Sequence, residues 1–304
     1  MLKRKIAKDK DTEMDLDKWF DTITTYQKLE KKQHPKTRFV KLGDKTRTKP
    51  IALIFTADWH LGSKSCDYKQ WVKDMKFILG LPPEDFRLVL VGDLIDNVFP
   101  RFKSAEAVFG YMSPKLQKEM LEVLLKKMRP YIDVACWGNH DVTWDEKLIG
   151  YSDVADMLGR TCSYFHGVGL FDYIVGNQSY RVLMTHKTKG HSWFHALHGN
   201  IREWLQTKAD VVVGAHGHEA AYMVDYRGSN NEGSPQERHL LQIGTYKTLD
   251  DTYSDREFRP GVIHNDTMVF YPNENKIMHF STVNDAAKWM GIVSKPVKSF
   301  SAIK

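Results

Sequence analysis

The chain has 304 residues, of which 42% are hydrophobic and 27% are charged, and its formal net charge is +6. These proportions are typical of a soluble globular protein with one large domain or two modest ones. No apolar run approaches the ~20 residues of a membrane-spanning helix, and no secretory signal is visible, so we expect a cytoplasmic protein that does not associate with membranes. The three widely spaced cysteines predict reduced thiols.

The positive charge is concentrated in the first 50 residues. They contain 15 Lys and Arg against 8 Asp and Glu, a balance of +7, and the remaining 254 residues contain 29 against 30, a balance of −1. Apolar residues then recur at helical spacing: Leu16, Trp19, Phe20, Ile23 and Tyr26. Residues 1–49 are therefore predicted to form a basic arm with an amphipathic helix. The arm could bind DNA, form a homo-oligomer through its helix, or be a solvated segment.

Apolar strands and amphipathic helices alternate along residues 50–304, which predicts a mixed α/β fold. The helices are expected over 67–80, 113–129 and 150–158, with a further one before residue 207. The strands expected before and between them cover 51–56, 86–91, 131–136, 162–166, 170–175, 179–185 and 210–214. Later strands are expected near 220–227, 238–245, 262–271 and 276–281.

Five of these strands are followed within a few residues by Asp, His or Asn. The residues are Asp58 and His60, Asp93 and Asp96, Asn139 and His140, His186, and His216 and His218. Loops at strand ends of layered α/β folds converge on one crevice, and these side chains are the types that bind metal ions. A turn or capping role would explain any single site, but five in succession favour a metal centre.

The complete series resembles the calcineurin-like metallophosphoesterase superfamily. The motifs are Asp58-Trp-His60, Gly92-Asp-Leu-Ile-Asp96, Gly138-Asn-His-Asp141, His186 and Gly214-Ala-His-Gly-His218. The resemblance implies that residues 50–304 form a four-layer domain, a central β-sandwich flanked by helices. The stretch Thr56–Gly62 is similar in wording to the DNA repair exonuclease branch. Asn97-Val98 stands where the protein phosphatase branch has Arg-Gly, which disfavours that branch.

The same resemblance implies the role of each site residue. One metal ion would be held by Asp58, His60, Asp93 and His218, and a second by Asp93, Asn139, His186 and His216. His140 would donate a proton to the leaving oxygen, and Asp96 would orient His140 and raise its basicity. Mixed nitrogen and oxygen ligands favour Mn²⁺ as the expected ion of this pair, with Fe, Zn or Mg as alternatives.

The sequence indicates fewer contacts for the substrate. Lys187 and His191 follow the fourth motif, and Arg101 and Lys103 lie among aromatic residues, where they could grip a single strand. Lys247 follows a predicted strand and is expected near the crevice. We therefore expect a DNA nuclease with a binuclear metal centre. The alternatives are a nucleotide or other small-molecule phosphoesterase, and a non-catalytic scaffold, which is disfavoured because no ligand position is lost.

Overall fold

The structure is a computed structural model, and it forms two units, residues 1–36 and residues 37–304. It describes residues 16–33, 39–98, 110–188, 195–207, 209–229, 235–248 and 261–300. In the first unit, helix α1 (Leu16–Gln33) is present as predicted. Phe20 and Tyr26 on this helix are 62% and 65% exposed. Its role in DNA binding or in a homo-oligomer stays a prediction.

The second unit is built on two six-stranded mixed sheets. The first sheet contains, in spatial order, β12 (Ile277–Phe280), β11 (Thr267–Phe270), β2 (Ile51–Thr56), β3 (Phe86–Leu90), β4 (Ile132–Cys136) and β5 (Ser163–Phe165). The second contains β1 (Val40–Asp44), β6 (Gly169–Val175), β7 (Gln178–Thr185), β8 (Val211–Gly214), β10 (Pro235–Gln242) and β9 (Ala221–Ser229). Strands β2 to β5 are parallel, and so are β7, β8 and β10. Their carboxyl ends therefore deliver loops to a common edge.

Helices cover the outer faces of both sheets. They are α2 (Tyr68–Ile78), α3 (Pro114–Met128), α4 (Trp144–Ile149), α5 (Asp153–Thr161), α6 (His198–Thr207) and α7 (Val283–Trp289), with a π-helical turn at Asn139–Thr143. Helix α3 begins as predicted, because the Ser113 hydroxyl caps it and Pro114 occupies its first position. In the described part of the chain, no helix is long and apolar enough to cross a membrane.

Strand β2 shows how the layers are packed. All six of its residues are buried, but Ile51, Leu53 and Phe55 pack between the two sheets, whereas Ala52 and Ile54 pack under the helices of the first sheet. This alternation follows from the two-residue period of a strand. A smaller cluster joins the second sheet to α6. The order helix, sheet, sheet, helix confirms the predicted four-layer α/β fold.

Two boundaries differ from the sequence predictions. Strand β1 lies inside the predicted arm of residues 1–49, yet it pairs in parallel with β6, so sheet pairing begins before residue 50. Its short, mostly exposed sequence lacks the apolar pattern of a buried strand. The strand predicted over 262–271 is reduced to β11 at Thr267–Phe270. The three cysteines are free thiols, as predicted.

Candidate metal centre

Backbone strain is concentrated at the ends of the strands that carry the motifs. In the described part of the chain, six residues other than glycine have a left-handed backbone, and their φ angles are 48° at Asp58, 46° at His60, 52° at Asp93, 40° at Asn97, 71° at His216 and 58° at His218. Such a conformation costs on the order of 1–3 kcal/mol per residue and recurs at functional sites. Five of the six are predicted metal ligands, so the fold aims these side chains at a local cost in stability.

A first cluster consists of Asp58, His60 and His218, which are all buried. Oδ1 of Asp58 lies 3.4 Å from Nε2 of His218 and 3.6 Å from Nε2 of His60. The two Nε2 atoms are 3.2 Å apart. Oδ1 of Asp58 has no hydrogen-bond partner, although it is fully buried. Three electron-rich atoms therefore surround a point at which a cation would be stabilised.

A second cluster consists of Asp93, His186 and His216. Nδ1 of His186 donates to the main-chain carbonyl of Val91 over 2.8 Å, which leaves the lone pair of Nε2 directed into the cluster. That atom lies 3.0 Å from Oδ2 of Asp93 and 3.2 Å from Oδ1 of Asn139. A neutral imidazole nitrogen facing two oxygen acceptors is unfavourable unless a proton or a metal ion lies between them. All seven predicted ligand residues are thus placed in these two clusters or against them.

The pKa values of three histidines in the two clusters are strongly shifted. Burial would lower the pKa of His60, but the neighbouring carboxylates of Asp58 and Asp96 raise it to about 9. Burial would also lower the pKa of His186, but the charges of Asp93 and Asp58 raise it to about 9. Burial lowers the pKa of His216 to about 3. One imidazole in each cluster thus attracts positive charge, and mixed nitrogen and oxygen donors suit a divalent transition metal that displaces those protons.

His140 lies at the same centre, but Asp96 supports it differently from the prediction. The donor atoms of His140, His60 and Asp93 lie within 4.8 Å of one another. Nδ1 of His140 donates to the main-chain oxygen of Asp96, and the Asp96 carboxylate lies 3.9 Å from it. That carboxylate accepts from Nδ1 of His60 over 3.0 Å. The Asp96 side chain therefore orients His60. Burial lowers the pKa of His140, and this effect outweighs the charge of Asp96, which raises it.

Two residues of the motif regions to which the sequence analysis assigned no role hold the main chain beside His140. Asp141 is fully buried, and its Oδ1 accepts from the main-chain N–H groups of Leu94 and Ile95 over 2.9 and 3.1 Å. The amide of Asn97 donates to the carbonyl of His140 over 2.9 Å and to Asp145 over 3.1 Å. Asp141 ends the Gly-Asn-His-Asp motif, and Asn97 follows Asp96, so their positions in the motifs were the available signal.

A glycine permits the close approach of these parts. A Cβ atom on Gly138 would lie 2.0 Å from the main-chain nitrogen of Asp93 and 2.3 Å from its Oδ1. No side chain fits there, because real Cβ atoms do not approach other atoms so closely. Gly138 thus brings the π-helical turn that carries His140 against Asp93, whose Oδ1 accepts from the His140 N–H over 2.8 Å.

The loop after β10 closes the opposite side of the centre. The Thr245 hydroxyl and the Tyr246 N–H both donate to the carbonyl of Asp58, over 2.9 and 3.0 Å. Nζ of Lys247 is buried 3.7 Å from Oδ1 of Asp96. The expectation that Lys247 lies near the crevice is therefore confirmed.

The predicted substrate contacts are only partly described. Lys187 is exposed and lines a small cavity with His216, whereas Arg101, Lys103 and His191 lie outside the described residues. An exposed rim adjoins the loop of Asp58 and His60. The side chain of Tyr111 is 65% exposed, and Nζ of Lys64 lies 5.8 Å from the centroid of its ring. The main-chain N–H of Tyr111 donates to the carbonyl of Gly62 over 2.9 Å.

Comparisons with known proteins found a matching family and several similar structures. Residues 51–249 match the calcineurin-like phosphoesterase family. Vacuolar Protein Sorting 29 from Cryptosporidium parvum is 12% identical, with coverage of 77% of this chain and 100% of that chain and a TM-score of 0.44. The calcineurin-like phosphoesterase YfkN from Bacillus subtilis is 13% identical (80% and 97% coverage, TM-score 0.39). A metallophosphoesterase from Sphaerobacter thermophilus is 11% identical (84% and 99%, 0.36). The comparison with curated proteins gives no match.

Proposed function

This chain belongs to the calcineurin-like phosphoesterase family, and we propose that it is a metal-dependent phosphodiester hydrolase that cleaves DNA. One observation carries the proposal: the two clusters share a crevice in which the donor atoms of His60, Asp93 and His140 lie within 4.8 Å of one another. A centre that holds two ions side by side, with a histidine beside them, suits hydrolysis of a phosphate ester.

The ligand residues would divide between two ions. Asp58, His60 and His218 would hold one, Asn139, His186 and His216 the other, and Asp93 would bridge them. Divalent ions bound there, Mn²⁺ in our proposal, would supply positive charge for the phosphoryl oxygens and lower the pKa of the attacking water. The protein residues hold this arrangement through left-handed turns at strand ends, so little reorganisation is needed when the substrate binds.

The proton that the leaving oxygen needs can come from His140. Its Nδ1 faces a carbonyl oxygen, which only accepts hydrogen bonds, so Nδ1 keeps its proton in the neutral imidazole. Nε2 therefore carries a proton only when the ring is an imidazolium. Because burial lowers the pKa of His140, that imidazolium is a stronger acid than an ordinary one and can protonate an alkoxide. A positioned acid of this kind contributes about 10²–10⁴-fold to a rate.

The preference for DNA over a smaller phosphate ester rests on the surroundings of the centre. The rim of Tyr111 and Lys64 offers an exposed ring and a cation beside the loop of Asp58. Stacking of a base on an aromatic side chain contributes about 1–3 kcal/mol and does not depend strongly on sequence. The excess positive charge of residues 1–50 and the exonuclease-like wording of Thr56–Gly62 favour the same substrate.

The test is cleavage by the purified chain with Mn²⁺ of three substrates: a labelled single-stranded oligonucleotide, a plasmid and bis-p-nitrophenyl phosphate. We expect cleavage of DNA and of the small diester, and loss of both in His140→Gln. His166→Gln is the matched control, because that side chain is 42% exposed and pairs with Glu146. Cleavage of the small diester or of nucleotides without DNA would show a small-molecule phosphoesterase, and no cleavage at all would favour a scaffold.

A further inference from the structure

We propose that Lys247 is a positioning residue of the metal centre, which holds the Asp96 carboxylate against His60 so that Nε2 of His60 faces the first cluster. The inference rests on the ligand role of His60 in the proposed function. It adds a residue from the loop after β10, outside the five motifs that identify the centre.

The placement of Lys247 is unusual for a lysine. The residue is only 6% exposed, and lysines are almost never buried unless their charge is paired. Its Nζ lies 3.7 Å from Oδ1 of Asp96, a residue that is 3% exposed. The same oxygen accepts from Nδ1 of His60 over 3.0 Å. Ammonium, carboxylate and imidazole thus form a chain that ends at the first cluster.

The main chain fixes Lys247 from both sides. Its own N–H donates to the hydroxyl of Thr245 over 2.9 Å. The N–H of Thr248 donates to the carbonyl of Ser65 over 3.0 Å, and the N–H of Asp67 donates to the carbonyl of Tyr246 over 2.8 Å. The stem of the side chain therefore starts from a held position, and less conformational entropy is lost when the ammonium stays beside Asp96.

The charges around Lys247 explain why the pair suits this place. Its ammonium lies close enough to act electrostatically on His60, His140 and His218 as well as on Asp96. A lone cation would oppose metal ions held by these imidazoles, and a lone carboxylate could turn toward the ions itself. The opposite charge of Lys247 offsets that of Asp96, so Asp96 orients His60 while adding less net charge to the centre. Removal of a carboxylate that orients a ligating histidine typically weakens metal binding about 10–100-fold.

The test is a calorimetric titration of Mn²⁺ into the metal-free full-length chain, without substrate. His60→Gln identifies the binding step of the first cluster. We expect Lys247→Met to weaken that step about 10–100-fold and to leave the other step within about twofold of the parent. Lys247→Arg should retain most of the affinity, because it keeps the charge. Lys115→Met is the matched control, since that side chain is 88% exposed.

A second pair of variants separates positioning from a general loss of structure. If Lys247 acts through Asp96, Lys247→Met adds less than about a twofold effect in an Asp96→Asn background. This double variant also removes both buried charges together, which the fold tolerates better than the loss of one. Equal weakening of both steps, unchanged affinity in Lys247→Met, or the full effect in the Asp96→Asn background would overturn the inference.

The titration also distinguishes failure of this inference from failure of the proposed function. A parent that binds Mn²⁺ in two steps but cleaves no DNA would overturn the nuclease proposal and leave the role of Lys247 intact. A parent that binds no Mn²⁺ would overturn both.

Discussion

The two halves of the proposed metal centre contain similar side chains but support them differently. In the first cluster, Nδ1 of His60 donates to the Asp96 carboxylate, which lies beside Lys247. In the second, Nδ1 of His186 donates to the main-chain carbonyl of Val91. A carbonyl at the end of a buried strand is fixed by the sheet, whereas a carboxylate depends on its own neighbours. The first half should therefore respond to side-chain changes that leave the second half intact.

Asp93 would bridge both halves of the proposed centre, so its loss is expected to have the largest effect. Asp93→Asn removes the carboxylate charge that would bridge the ions. We expect the rate of bis-p-nitrophenyl phosphate cleavage with Mn²⁺ to fall about 10³-fold or more, because a loss of about 4 kcal/mol in transition-state stabilisation corresponds to that factor. Asp285→Asn, an exposed substitution, is the control. Retention of a tenth of the parent rate would mean that the halves work without a shared carboxylate.

The next largest effect should come from His140, which belongs to neither set of predicted ligands. His140→Gln is expected to lower the rate of phosphodiester cleavage about 10²–10⁴-fold while Mn²⁺ affinity stays within about twofold of the parent. The measurement is steady-state kinetics together with the metal titration. If both metal-binding steps weakened, His140 would be a ligand, and the division of the centre into two supported halves would need revision.

The substitution Gly138→Ala tests how closely the main chain at Gly138 packs against Asp93. Gly138→Ala should reduce the free energy of unfolding by at least about 1–3 kcal/mol, because the new methyl group overlaps Asp93. Urea unfolding of the metal-free protein measures the change. Gly159→Ala in α5 is the control, since a methyl group at that position would have no atom within 4 Å beyond its own helix backbone. Equal stability of the two variants would show that the main chain at Gly138 can move away from Asp93 at little cost.

The smallest predicted effect concerns the pH dependence of the stability of the metal-free protein. The pKa values of His60 and His186 are raised to about 9 in the folded, metal-free chain, against about 6.5 in the unfolded chain. A raised pKa contributes stability that is fully present below pH 6.5 and is lost as the pH rises through 9. The melting temperature of the metal-free protein should therefore fall by at least about 2–4 °C between pH 6.5 and 9.

Bound metal and one substitution should each change this fall in melting temperature in a defined way. Bound Mn²⁺ should remove most of the fall, because the metal replaces both protons. Asp96→Asn should remove part of the contribution of His60, which Asp58 also supports, and leave that of His186, since His186 keeps the charges of Asp93 and Asp58. A melting temperature of the metal-free protein that rises across this range would contradict the raised pKa values.

The motifs predict much of the centre because each ends a parallel strand, and parallel strands deliver their loops to one edge. Asp58, Asp93 and His186 are brought together for that reason. The partner of Asp96 could not be predicted, because the choice between His60 and His140 depends on a left-handed backbone at Asn97 and on a π-helical turn. Neither conformation has a periodic signal in the sequence.

The contact of Lys247 with Asp96 could not be predicted either. The two residues are 151 positions apart, and their contact depends on how the loop after β10 is pinned to Ser65 and Asp67. Strand β1 was missed for a different reason. It lies at the edge of its sheet, where one neighbour and partial exposure remove the apolar pattern by which a buried strand is recognised.

In the proposed function, this chain holds two metal ions on a shared Asp93. The most direct test counts the Mn²⁺ ions bound per metal-free full-length chain by equilibrium dialysis at pH 7.5, for the parent and for Asp93→Asn. We predict two ions for the parent and at most one, weakly held, for the variant. One ion or none in the parent, or two tightly bound ions in Asp93→Asn, would contradict the account.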